Sequence, residues 1–152
     1  MVRLAALVVV LSVHGIGGVH FGLPQDRAVG ALTALFGQPS RRFANSGCRP
    51  RYTEVAWGHL YAEFRLGRFS GFRYLEDGWP PLRYGVKIVR SDLPRLTTPR
   101  GVTLGSTVRQ LRAAYGRLDL VGTDRYRSPD GLFFADAHSR IVEIKTGTCG
   151  DF

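Results

Sequence analysis

The chain has 152 residues, of which 44% are apolar, with nine Phe, six Tyr and two Trp; this is enough to bury one core and excludes global disorder. Nineteen Gly and eight Pro demand many turns, so more strand than helix is expected. The formal charge of +9 comes from 21 basic against 12 acidic residues, with no basic run longer than Arg41-Arg42, so it speaks to partners and solubility and not to fold.

In chain order, Arg3 precedes a ten-residue apolar stretch, Leu4 to Val13. That length matches the hydrophobic region of a signal peptide, ~7–15 residues, and falls short of the ~20 that span a bilayer. Residues 1–15 therefore read as a signal peptide, residues 16–152 as a single domain, and the protein as secreted or extracytoplasmic with no transmembrane span. A strand or short helix of the domain is the competing reading of the same residues.

Gly18-Val-His-Phe-Gly22 and Gly101-Val-Thr-Leu-Gly105 share the pattern G-V-x-[FL]-G, and a helix-like stretch ending in aromatic-Gly follows each. In the first, Pro24 suits a first helical turn, Ala28, Leu32 and Leu35 recur at helical spacing, and Gly37 ends it. In the second, Thr107 with Gln110 makes a capping box, Val108, Leu111 and Tyr115 form the apolar stripe, and Gly116 ends it. Strands are expected at Tyr52–Trp57, Leu60–Arg65, Arg68–Tyr74, Gly85–Arg90, Leu118–Val121, Leu132–Ala135 and Arg140–Lys145, from alternation and turn residues. Leu93 to Arg100 reads as a Pro-bounded linker. The expected fold is α+β: two tandem helix-plus-antiparallel-strand modules, about residues 16–95 and 96–152, forming one domain.

Cys48 and Cys149 offer no C-x-x-C spacing for a metal, and two lone cysteines in an exported chain predict a disulfide. By the chain-entropy argument, closing so long a loop is worth about 4–5 kcal/mol. The bond would clasp the first module to the second.

Motifs for catalysis are missing. His14, His20, His59 and His138 show no metal-ligand spacing, no serine sits in a G-x-S-x-G elbow, and the Gly15–Gly18 run lacks the lysine of a phosphate loop. Ser106, His20 and Asp26 form a triad only on paper. Glu54 and Glu63 lie on adjacent strands, as a glycosidase carboxylate pair can. Charges in alternating strands normally take the solvent side, however, so a solvated face is the plainer reading. No catalytic residue, metal or cofactor is predicted.

Aromatic and basic residues interleave from Tyr61 to Tyr84, and Tyr61, Arg65, Arg68, Phe72, Arg73 and Tyr74 form the candidate binding face. Such a face can stack and pair with anions. For an exported protein, an acidic protein or a cell-envelope polymer is the coherent partner, ahead of nucleic acid.

The run G-V-x-F-G to L-x-G-x-P at Gly18–Pro39, Gly47-Cys48, V-x-W-G-x-L-x-x-x-F at Val55–Phe64, L-T-T to Y-G at Leu96–Gly116 and Ile144–Cys149 resembles a group of small secreted actinobacterial proteins of unassigned function. More distantly the tandem module is similar to β-lactamase-inhibitor-protein-like domains and to small lipoproteins of outer-membrane assembly. That resemblance implies binding over catalysis, although one disulfide between modules departs from the inhibitor's one within each. The expected function is thus an extracytoplasmic, non-catalytic binding or scaffold protein. The competing classes are a small secreted hydrolase using Glu54/Glu63 or a His, and a non-specific binder of anionic polymer or nucleic acid.

Overall fold

Alternation of inward and outward side chains builds most of the molecule, which a computed structural model describes at residues 7–45, 51–76 and 93–147. Cys48, Cys149 and the strand expected at Gly85–Arg90 lie outside the described residues. Eight strands form one antiparallel sheet: β4 (Arg41–Asn45), β5 (Tyr52–Trp57), β6 (Leu60–Arg65), β7 (Arg68–Leu75), then β12 (Arg140–Lys145), β11 (Phe133–Ala137), β10 (Arg125–Arg127) and β9 (Asp119–Gly122). Each half is a meander of consecutive strands, and the last strands of the two meanders meet at the centre, where Arg73, Tyr74 and Leu75 pair with Lys145, Ile144 and Glu143. Thr146 Oγ1 accepts the Phe72 N–H at 3.0 Å and extends this seam.

A second, four-stranded sheet takes the first residues. β1 (Val8–Ser12) pairs antiparallel with β2 (Gly15–Ile16), β2 with β3 (Val19–His20), and β1 pairs in parallel with β8 (Arg95–Thr97). Val9, Leu11 and Ile16 are buried in the main core. A cut near residue 15 would therefore remove a strand flanked on both sides and two of those three side chains. Among the described residues no helix is long and apolar enough to cross a membrane.

The two helices, α1 (Gln25–Phe36) and α2 (Val108–Tyr115), pack on the same face of the large sheet as the small sheet does. Ala28, Val29 and Leu32 of α1 and Leu111 and Tyr115 of α2 meet Trp57, Phe64, Phe72, Phe134 and Ile144 there. The Thr107–Gln110 capping box is present, with the two reciprocal bonds at 2.8 and 3.1 Å. Gly37 and Gly116 end their helices at positive φ.

The sequence repeat has a structural meaning at the helix starts. Gly22 N–H donates to Phe69 O and Gln25 N–H to Gly67 O, while Gly105 N–H donates to Ile141 O and Val108 N–H to Ser139 O. Arg68 and Arg140, each heading the last strand of its meander, donate to Gly22 O (2.8 Å) and Gly105 O (2.9 Å) respectively. Each helix start is thereby pinned to the hairpin turn beneath it, where Leu66-Gly67 and His138-Ser139 all have positive φ. Gly22 and Gly105 also have positive φ, which only glycine adopts without strain.

The expected α+β class is corrected. Of the described residues 47% are strand and 17% helix, in two sheets of eight and four strands with two helices. The excess comes from strands that pattern could not mark: β4, β10, the two-residue β2 and the three-residue β8. The supposed linker from Leu93 to Arg100 contains β8, which its neighbour β1 holds in place. A strand that short has no alternation of its own to display.

Candidate functional site

Because neighbouring side chains on a strand point to opposite faces, the six residues of the expected binding face divide. On β7, Phe72 and Tyr74 point with Leu60 and Ala62 into the core, and Phe72 is fully buried. Tyr61, Arg65 and Arg73 lie on the distal face, away from the helices. Arg68 stands at the strand's start and holds Gly22.

The distal face also gathers residues the interleaved stretch did not contain. Cross-strand partners place Tyr52, Glu54 and Ala56 of β5 opposite Arg65, Glu63 and Tyr61 of β6, with Phe43 of β4 beside Glu54. Glu143 and Lys145 of β12 continue the face beside Leu75 and Arg73. Alternation within Arg140–Lys145 marks Glu143 and Lys145 as sharing a face. Their adjacency to β7 depends on how the two meanders join, which has no local signature.

Each carboxylate on this face is met by a base. Arg73 Nη2 and Nε donate to Glu54 Oε1 at 2.7 and 3.2 Å, Arg65 Nε donates to Glu63 Oε1 at 2.6 Å, and Lys145 Nζ lies 3.2 Å from Glu143 Oε1. The Arg73 guanidinium also sits 5.2 Å from the Tyr61 ring centroid and that of Arg65 5.5 Å from Tyr52, within cation–π range. Phe43 meets Tyr61 edge to face. Both glutamates are buried, Glu54 to 1% exposure and Glu63 to 3%, and so are not the solvated pair that alternation suggested. The side chains of Arg73 and Arg65 remain 29% and 28% exposed. The acids thus lie beneath and the guanidiniums above them.

Burial raises the Glu54 carboxyl pKa above the usual range; Arg73 pulls it back down and Glu63 pushes it further up. Burial likewise raises the Tyr52 hydroxyl, with Glu54 adding to the shift. The second oxygens, Glu54 Oε2 and Glu63 Oε2, are enclosed without a hydrogen-bond partner among the described residues. Neither glutamate has a free, accessible oxygen for a substrate.

The histidines do not converge here. His20 is exposed on β3, His59 is half-buried in the β5–β6 turn and His138 is exposed in the β11–β12 turn. Among the described residues no three His, Cys, Asp or Glu side chains are grouped to hold a metal. Comparisons with protein-family models, curated proteins and solved structures return no match.

Proposed function

We propose that this chain is a non-catalytic binding or scaffold protein acting outside the cytoplasm, with the distal face of the large sheet as its contact surface. One observation carries the reading: the carboxylates of that face are enclosed while the arginines paired to them stay partly exposed. A partner arriving at the face meets fixed guanidiniums and the exposed ring of Phe43, while Tyr61 is buried beneath Arg73. Held side chains lose little entropy on binding, and positive charge over aromatic rings suits an acidic protein or an anionic envelope polymer.

Polyglutamate and duplex DNA are suitable probes of the purified protein. Arg41 and Phe43 are exposed on the same face, so Arg41→Ser/Phe43→Ser should weaken polyglutamate binding about tenfold, the loss of one charged contact and one ring. Arg27→Ser/Arg109→Ser, with both changes on the outer sides of the helices, should not. Equal loss in the two double variants would reduce the reading to net charge alone, and tighter binding to DNA would replace it with a nucleic-acid partner.

A hydrolase using Glu54 and Glu63 is the second reading, favoured by their placement directly opposite one another on β5 and β6. Against it stand their burial and the arginine already bonded to each. Turnover of chromogenic glycosides that disappears in Glu54→Gln and in Glu63→Gln would reverse the preference.

A further inference from the structure

The loop between β8 and α2 borders an open hollow of about 530 Å³, lined among others by Arg95, Arg100, Arg140, Thr103, Ser106 and Gln110. Three arginines line it and, among the described residues, no carboxylate does. This is unlike the distal face, where Arg65, Arg73 and Lys145 each have a glutamate, and unlike Arg127, which has Asp119. None of Arg95, Arg100 and Arg140 forms an ion pair among the described residues.

Two of the three are held in place by the fold. Arg140 Nη1 donates to Gly105 O at 2.9 Å, the same clamp that Arg68 makes at Gly22. Arg100 Nη1 donates to Ala114 O at 3.2 Å, and its guanidinium lies 5.6 Å from the Tyr115 ring centroid. A guanidinium carries five N–H donors, so each keeps several for a ligand. Arg95 of β8 makes no side-chain hydrogen bond among the described residues. The repeat does not call for a charge at Arg100: at the equivalent position, 83 residues earlier, Gly17 stands in its place.

Most backbone N–H groups of the loop are already committed. Val102 N–H donates to Thr98 Oγ1, Thr103 N–H to Ser106 Oγ and Gly105 N–H to Ile141 O. Recognition therefore falls to the guanidinium forks, whose paired donors match the oxygens of carboxylates and phosphates. The volume exceeds that of a bare ion, and three unneutralised charges call for more than one negative charge. We propose that this hollow binds a small organic oxyanion bearing at least two negative charges, phosphorylated or polycarboxylated. The site lies apart from the distal face, and its success or failure is independent of the reading of that face.

Calorimetric titration of the full chain at constant ionic strength tests it, with pyrophosphate and citrate as probes and chloride as the reference. Saturable one-to-one binding of either probe is expected, pyrophosphate reporting a phosphate site and citrate a carboxylate site. Arg95→Gln should weaken it roughly tenfold, the loss of one charge-assisted contact. This variant removes no hydrogen bond among the described residues, so a melting profile like that of the wild type is expected alongside. Arg100→Gln should weaken binding similarly, whereas Arg109→Gln, which removes the same charge outside the hollow, should not. Equal weakening by Arg95→Gln and Arg109→Gln would mean an adventitious ion drawn by net charge only, and would overturn the proposal. So would the absence of saturable binding by both probes.

Discussion

Arg73 and Glu54 are joined by two hydrogen bonds to one oxygen, with the acid buried and the base partly in solvent. Removing the base strands a buried charge, whereas removing both groups does not. Arg73→Met should lower stability by about 2 kcal/mol, discounted for the exposure of the guanidinium, and Glu54→Gln in that background should restore part of it in a urea double-mutant cycle. Strict additivity would show that the pair does not interact. The raised Glu54 pKa gives a second expectation. A raised carboxyl contributes stability that is present below its ordinary value of 4.5 and lost as pH rises through its folded value. Glu54→Gln cannot ionise, so its stability relative to the wild type should rise with pH across that window. Melts between about pH 4 and pH 8 would show it, and a difference flat in pH would contradict it. Alternation was enough to place Glu54 and Glu63 on one face away from the core. Their burial was not legible, because the arginine over Glu54 arrives from β7, two strands away.

At the scale of the element, legibility tracked length and capping chemistry. Both helices, β5, β6 and β12 declare themselves by period, cap and turn residues. Thr107→Ala should cost about 1 kcal/mol through loss of the capping box, seen as a lowered denaturation midpoint. β1 was ambiguous because an uncharged apolar run satisfies an export leader and a core strand equally well. Its place beside β8 gives it energetic weight. Leu11 is fully buried, and Leu11→Ala should cost roughly 3 kcal/mol. Deletion of residues 1–15 should leave a chain that does not melt cooperatively. A full-strength transition in that deletion would show β1 to be dispensable.

The whole molecule is closed by two seams between sequence-distant halves: β7 with β12 in the large sheet and β1 with β8 in the small one. The repeat at Gly18–Gly22 and Gly101–Gly105 was readable as a pattern. That the two meanders would join through their last strands was not, since any edge strand offers the same unpaired backbone. From this closure a single unfolding transition is expected for the full chain. A fragment ending at residue 92 would expose the β7 edge and leave β1 without its parallel neighbour. It should show little cooperative melting by circular dichroism and a tendency to associate; a monomeric, sharply melting fragment would mean that the halves are autonomous.

The parallel pairing of Val8, Val9 and Val10 with Arg95, Leu96 and Thr97 also imposes an order in time. β1 leaves the ribosome well before its neighbour and is finished only when β8 has emerged. At roughly 5–20 residues per second this is a wait of several seconds. Throughout that wait an apolar strand, with Leu7, Val8 and Val10 facing outward even in the finished protein, is a target for chaperones and for like strands of other chains. Until β8 arrives, β1 needs such cover.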